Sequence, residues 1–404
     1  MEKELFGVAL GIEEPLYIDE ISFDSTEGEL HIHMDFRRGG RFFCSECGEV
    51  DLPVHDTVEK TWRHLNFFQY KCYLHFRTPR TQCPQCGERL WIPPWGREQS
   101  GFTVLFEAFI MALGKEMPIS RIGELVGEQD TRIWRIVRFH VNRAHGTKNY
   151  AGVTKVGCDE TSSRKGHNYV TVFADMDKGE VMFAAEGKDS GTVKYFAEEL
   201  PKHEAQPGQI KEVAIDMSPA FISGVSDYLP EACITFDKFH IIQALNKAQD
   251  EVRRAEQKKN PLLKSTRYVW LKNPENLTEK QKKQLETLRH ENLKTAKVYQ
   301  MKLTFQDIYR TIREPEAAEA AIKKWLSWAV RSRLDPIKSF AKTVKTHFSG
   351  VMRYFTSRLT SGTMEGINSR IQEIKRRGRG FRNINNFIAM IYLEAAGLEM
   401  TLPT

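Results

Sequence analysis

Nowhere in the 404 residues does an apolar run reach the length of a membrane span. The longest, FTVLFEAFIMALG, runs from Phe102 to Gly114 and carries an acid at Glu107. That is well short of the ~20 apolar residues a spanning helix needs, so no membrane partner is expected. No basic-then-apolar leader opens the chain, so secretion is not expected either. Internal repeats and low-complexity tracts are lacking, which argues against a solenoid or a mainly disordered chain. Charge of one sign is scarce: 59 Lys and Arg against 53 Asp and Glu leave a net charge of only +6. Cysteine is sparse as well. There are 7, an odd number, and four of them form two C-x-x-C pairs, which excludes a simple disulfide framework and points to a reducing compartment and a metal. A cytoplasmic protein is expected.

What is present is the composition of a globular protein, 41% apolar and 28% charged, in a chain long enough for about two to four folding units. The mild net charge conceals an uneven distribution. The first 35 residues are acidic, whereas the last quarter holds most of the excess Lys and Arg. A basic region of that kind suits a polyanionic partner, with a solvated helix face as the plain alternative.

Along the chain, ELHIHMDF, RFFC, KTWRHLNFF and YKCYLHFRT read as short strands, and the Pro93–Pro94 pair opens a linker. Three helices follow in TVLFEAFIMAL, ISRIGELVG and DTRIWRIVRFHVNRA. Two knuckles, CSECG and CPQCG, pair Cys44 with Cys47 and Cys83 with Cys86. Thiolates two residues apart on a tight turn occupy two corners of a tetrahedron, so the four cysteines are expected to hold one structural Zn²⁺. The 35 residues between the knuckles leave room for a β-hairpin, and Cys72, His55, His64 and His75 read as packing or surface residues. The second and third helices, joined by VGEQD, have the proportions of a helix-turn-helix; Arg132, Arg135 and Arg138 then share one face as candidates for DNA contact. A three-helix bundle without a DNA role would have the same periodicity.

After Tyr150 the order becomes strand, strand, strand, helix, strand, helix, strand, which is that of an RNase H-like core. In that topology the first and fourth strands are neighbours. Here KVGCDE ends the first with Asp159 and KEVAIDMS ends the fourth with Asp216. The third acid is expected from SGTMEGINSRIQEIKRRGRGF, in which Ile367, Ile371 and Ile374 form the core-facing stripe while Glu365, Asn368 and Gln372 fall on another side. Oxygen ligands of this kind suit hard divalent cations, two Mg²⁺ with Mn²⁺ able to substitute, which serve phosphodiester chemistry. Lys375, Arg376, Arg377, Arg379 and Arg382 follow as candidate phosphate contacts. Asp237 and His240 in FDKFHII end the fifth strand; Asp237 is the rival to Asp216, although the fifth strand lies farther from the first. Strand-end acids also cap helices, and Asp216 or Asp237 doing only that is the competing reading. Glu160, Asp175 and Asp177 read as turn or surface residues.

The knuckles, the helix-turn-helix, GCDE, AIDMSPAF, FDKFHII and GTMEGINSRIQEIKRRGRGF stand in the order seen in ISL3-family insertion-sequence transposases, which the chain resembles over essentially its whole length. The resemblance implies a DDE transposase with Asp159, Asp216 and Glu365 as its acids, and Asp237 and His240 as the accompanying acid-x-x-His feature. Its substrates would be double-stranded DNA, both the element's ends and the target, at the bacterial nucleoid, handled by a homodimer or larger assembly. The expected architecture is multidomain α+β: a β-rich zinc ribbon over 1–99, a helix-turn-helix over 100–148, a catalytic core over 149–240, an all-helical insertion over 241–345, and returning core helices over 346–404. Two rivals remain: a DNA-binding regulator with a dead nuclease domain, and a structure-selective nuclease that never joins ends.

Overall fold

A computed structural model describes residues 2–164, 168–291, 293–357, 359 and 362–402. It divides into two compact units, one running to Ala144 and taking the tail from Glu399, the other spanning His145–Leu398.

The first unit begins with α1 (Glu2–Ala9) and the strands β1 (Leu16–Asp24), β2 (Glu29–Phe36), β3 (Arg41–Phe42), β4 (Leu52–Phe67), β5 (Tyr70–Cys83) and β6 (Gly87–Leu90). The sheet order is β1-β2-β5-β4-β3, with β6 on β5. In β2 the alternation is strict: Leu30, Ile32, Met34 and Phe36 point inward and meet Trp62, Leu74, Phe76, Trp91 and Trp95. The long antiparallel β4–β5 hairpin fills the space between the two cysteine knuckles, as their spacing leads one to expect. Helices α2 (Val104–Gly114), α3 (Ile119–Val126) and α4 (Asp130–Gly146) follow, and Gly127 ends α3 in the left-handed region at φ 70°.

Two buried ions brace this unit: Arg63 ties the sheet to the helices, and Glu107 ties α2 to α4 and to the loop before α2. Arg63 of β4 is 1% exposed; its guanidinium donates to the Cys72 and Val126 carbonyls and faces Glu128 at 3.7 Å. Its backbone also bonds Gly101 and Thr103 ahead of α2. Glu107, the acid in the longest apolar run, is fully buried and accepts from Ser100 Oγ at 2.6 Å, Arg97 Nε at 2.7 Å and His140 Nε2 at 2.7 Å. An acid inside an apolar helix is thereby explained as the hub of a satisfied polar network.

The second unit is built on β7 (Lys155–Ser162), β8 (Tyr169–Asp175), β9 (Glu180–Glu186), α5 (Ser190–Glu199), β10 (Glu212–Ile215), α6 (Pro219–Tyr228) and β11 (Cys233–Phe236). The sheet order is β11-β10-β7-β8-β9, antiparallel across β7–β8–β9 and parallel across β7–β10–β11. This is the RNase H-like arrangement expected from the element order. Helices α7 (Lys238–Gln257), α8 (Arg267–Leu271), α9 (Glu279–Arg289), α10 (Lys294–Thr311), α11 (Pro315–Val330), α12 (Asp335–Thr346) and α13 (Phe348–Ser357) form the insertion and its return. Their apolar faces run into the core of the sheet without a break: Val156, Phe173 and Phe236 share one cluster with Leu245, Phe305, Trp325 and Phe340. A satellite cluster around Trp270 and Leu285 supports the outer helices. The chain closes with α14 (Gly362–Arg377) and α15 (Ile384–Ala395), and the Tyr392 hydroxyl accepts from the Ala184 amide at 2.9 Å. No helix among the described residues is long and apolar enough to cross a membrane.

The Glu107 network has a pH signature. Burial pushes its carboxyl upward, but the bonds from His140, Arg97 and Ser100 outweigh that and hold it below the ordinary value of 4.5. A folded value below the unfolded one means that the stabilisation is complete above about pH 4.5 and is lost as pH falls through the lower folded value. Glu107→Ala is expected to lower the stability of the first unit by about 3 kcal/mol, and Glu107→Gln to flatten the acid side of its stability profile. Thermal unfolding followed from pH 3 to pH 7 (about the range over which a glutamate titrates) checks both.

Candidate active site and metal centre

The strand register gathers three acids. Across β7 and β10, Ala214 pairs with Gly157; across β10 and β11, Ile215 pairs with Phe236. Continuing each register brings Asp159, Asp216 and Asp237 to one level: Asp216 and Asp237 directly follow the last residues of β10 and β11, whereas Asp159 lies inside β7, which runs on to Ser162 against the expectation that it ends the strand. Side chains at one level of adjacent strands point to the same face, and these three line one small cavity with His240 and Met364. Asp237 caps α7, its Oδ1 accepting from the Phe239 amide at 2.8 Å, whereas Asp216 Oδ1 accepts from the Ser218 amide at 2.9 Å ahead of α6, whose N-cap is Ser218. Each carboxylate thus spends one oxygen on the backbone and still borders the cavity.

α14 delivers Glu365 beside this row. Met364, Ile367, Ile371 and Ile374 are its buried stripe, as the isoleucine spacing leads one to expect. The helix comes close because β7 carries glycine at 157: a Cβ there would lie 2.4 Å from Met176 Sδ and 2.6 Å from Met364 Sδ. Polar residues then step along β7. Asn368 Nδ2 donates to Asp159 Oδ2 at 2.5 Å, Gln372 Nε2 to Thr161 Oγ1 at 3.1 Å, and the Lys375 ammonium to the Ser162 carbonyl. Glu365 itself is exposed in the first turn and borders a second, larger cavity next to the row.

The acids sense one another. Burial raises the Asp237 carboxyl, and Asp159 and Glu365 add to that while the Phe239 amide and His240 oppose it. Burial likewise raises Glu160, reinforced by Asp216 and Asp159. His240 Nε2 stands 3.9 Å from Asp159 Oδ1. A set of oxygen donors whose negative charges disfavour each other fits a hard divalent cation such as Mg²⁺.

The zinc ligands meet as their spacing requires. The Sγ atoms of Cys44, Cys47, Cys83 and Cys86 all lie within 4.8 Å of one another, the one such group of metal-binding side chains among the described residues. Gly48 and Gly87 turn the knuckles at φ 78° and 74°. Amides of Cys47 and Glu46 bring the Cys44 thiol down to about 7, whereas its sulfur neighbours, led by Cys47, push Cys86 up to about 12. Crowded thiolates of this kind need a central cation, and four sulfurs fit Zn²⁺. Cys72 is buried in the core of the sheet, His64 bonds Thr103, His75 stacks on His33 and His55 pairs with Glu88; all four lie outside the centre.

The expected DNA-binding bases divide into two groups. Arg132 pairs with Glu128 and covers the Phe102 ring at 4.4 Å, and Arg138 donates to the Trp134 carbonyl, while Arg135 is exposed. On α14 and beyond, Arg376, Arg379 and Arg382 are exposed, but Lys375 is anchored to Ser162 and Arg377 pairs with Glu394. The spacing places Asn368 on the Glu365 side of α14, and its bond to Asp159 comes from the tertiary structure. Arg63 offered no signal, because its partners come from three separate segments.

Three family models match in chain order. The zinc-finger of transposase IS204/IS1001/IS1096/IS1165 covers residues 40–86, the helix-turn-helix domain of transposase family ISL3 covers 92–141, and the family's transposase domain covers 156–391, more than half of the chain. The transposase for insertion sequence element IS1557 of Mycobacterium tuberculosis is 26% identical over 99% of this chain and 97% of its own. The transposase for insertion sequence element IS1001 of Bordetella parapertussis is 29% identical over 86% of this chain and 87% of its own.

Elemental analysis of the purified chain is expected to find one zinc per molecule, lost in Cys83→Ser together with part of the stability of the first unit. Asn368→Ala is expected to weaken activity about 10- to 100-fold and to raise the divalent-ion concentration giving half-maximal rate, with Asn368→Gln partly restoring both. A loss of rate with no change in ion dependence would mean that Asn368 does not orient Asp159.

Proposed function

The chain belongs to the ISL3 family of transposases, and from that membership we propose that Asp159, Asp216 and Glu365 are the acids with which it cuts and rejoins DNA. The observation that carries this reading is the shared level of Asp159 and Asp216 on adjacent parallel strands, with α14 seated on β7 so that Glu365 stands beside them. Two Mg²⁺, or Mn²⁺ in their place, would supply the Lewis acidity that activates the attacking water or 3′-hydroxyl and stabilises the leaving oxygen of an in-line displacement. Asp159 and Asp216 are held stiffly by the sheet, and Asn368 fixes the Asp159 carboxylate. Asp237 contributes a fourth carboxylate at the same level, and His240 orients Asp159 or the scissile phosphate. Arg376, Arg379 and Arg382 neutralise backbone phosphates beyond the helix.

The zinc centre holds the unit that presents α4, and Arg135 is the side chain placed to read or grip the terminal inverted repeats. Two ends have to be held together for joining, so the working form is a homodimer or larger assembly on DNA at the bacterial nucleoid. A DNA-binding relic would have no need of a satisfied bond on Asp159, and a structure-selective nuclease would have no need of the helix-turn-helix.

The test is a strand-transfer assay with the full chain, DNA bearing the element's ends and Mg²⁺. Asp159→Ala, Asp216→Ala and Glu365→Ala are each expected to lose about 10³-fold or more in cleavage and joining, with binding of the ends retained and Asp237→Ala less affected. Loss in Asp237→Ala with activity kept in Asp216→Ala would exchange their roles. Ends bound tightly and never cut by the wild type would sink the catalytic reading.

A further inference from the structure

Exposed apolar side chains gather at one corner of the first unit. On α1, Leu5 and Val8 stand three residues apart on one face and are 70% and 85% exposed, and no residue of this helix is buried. At the β4–β5 turn Phe68 is 80% exposed at φ 55°, a left-handed backbone that a bulky side chain adopts only at a cost. The corner is continuous: the Phe6 and Phe67 rings lie 5.5 Å apart, Phe67 and Phe68 4.7 Å, and Phe23 meets Tyr70 edge-on at 4.6 Å. Acids surround it. Glu2, Glu4, Asp19, Glu20 and Asp24 are all exposed, with Lys3 among them, its ammonium donating to the Asp19 carbonyl. A surface of that sign repels DNA phosphates and anionic lipid, so its apolar groups suit a protein partner that carries bases.

The chain itself presents such a surface. From the end of α7 through α8, Leu263, Val269 and Trp270 turn inward to a small apolar core, while Leu262 and Tyr268 turn outward, 55% and 60% exposed. Lys258, Lys259, Lys264 and Arg267 are exposed around them, and the Arg267 guanidinium lies 5.7 Å from the Tyr268 ring. Resting on the reading above that two DNA ends are held by an assembly of copies, we propose that the acidic apolar corner of one copy docks on the basic α7–α8 corner of a second, which returns the same contact. Exchange of two unlike surfaces in this way closes a pair about a two-fold axis. The apolar side chains supply the affinity. Opposite charge sets the pairing and keeps each surface from meeting its own kind.

The test is sedimentation of the full chain without DNA over a range of protein and salt concentrations. The wild type is expected to form a dimer that salt weakens. Glu2→Lys with Glu20→Lys, and separately Lys259→Glu with Lys264→Glu, should each loosen the dimer about 10-fold or more. An equimolar mixture of the two double variants should restore it, since only a contact between copies can be completed by mixing. Phe68→Gly should loosen the dimer by a similar factor with thermal stability equal or higher, because glycine adopts the left-handed turn without strain. A wild type that stays monomeric without DNA, a dimer indifferent to both double variants, or a mixture that remains monomeric overturns this interface and leaves the cutting and joining chemistry untouched. Loss of end binding in Lys259→Glu with Lys264→Glu, at unchanged dimerisation, assigns the α7–α8 corner to DNA and overturns it as well. A wild-type dimer that holds the ends and never cuts them overturns the catalytic reading alone.

Discussion

The parallel register of β7, β10 and β11 is the constraint on which the site depends. In a parallel ladder, residues at equal height face the same side, and their separation is fixed by the strand spacing. Asp159, Asp216 and Asp237 are thereby held close together before any ligand arrives. Burial first, and the neighbouring carboxylates after it, raise the Asp237 and Glu160 carboxyls. Folding therefore keeps them together at a cost that the buried sheet has to offset: Val156, Phe173, Ile215 and Phe236 are nearly fully buried beneath and beside them.

Helix α14 resolves a conflict of charge. Its acid stands in the first turn and its bases in the last, the arrangement a helix dipole favours by a few tenths of a kcal/mol to about 1 kcal/mol each. The dipole therefore accounts for part of the placement of bases that the sequence offered as phosphate contacts. Lys375 and Arg377 serve the fold by bonding Ser162 and Glu394, while Arg376, Arg379 and Arg382 remain exposed beyond them. One helix thus docks through its isoleucines, orients Asp159 through Asn368 and presents bases from its end.

The first unit shows the same economy with polar groups. A small β-sheet beside three short helices has limited apolar area to bury. The four cysteines offer a zinc staple at one end, the Arg63 network fixes the sheet to the helices, and the Glu107 network fixes α2 to α4 and the preceding loop. Buried ions give little net stability, yet they penalise any other docking of the helices because each would leave a charge unpaired.

Much of this was legible in local pattern. Alternation in ELHIHMDF, the stripe Ile367, Ile371 and Ile374, the strand–helix order after Tyr150 and the two knuckles each depend on spacing along the chain, and spacing is what a sequence records. It therefore determined most of the elements, though not α1, β1 or β6, and the zinc ligands, while the reach of β7 past Asp159 to Ser162 came from the fold. Tertiary structure alone decided which side chains meet across long separations. Asn368 finds Asp159, Arg63 finds the end of α3, and Gly157 makes way for Met364. Those pairings depend on register and helix approach, which arise only when distant segments pack, and no periodicity carries them.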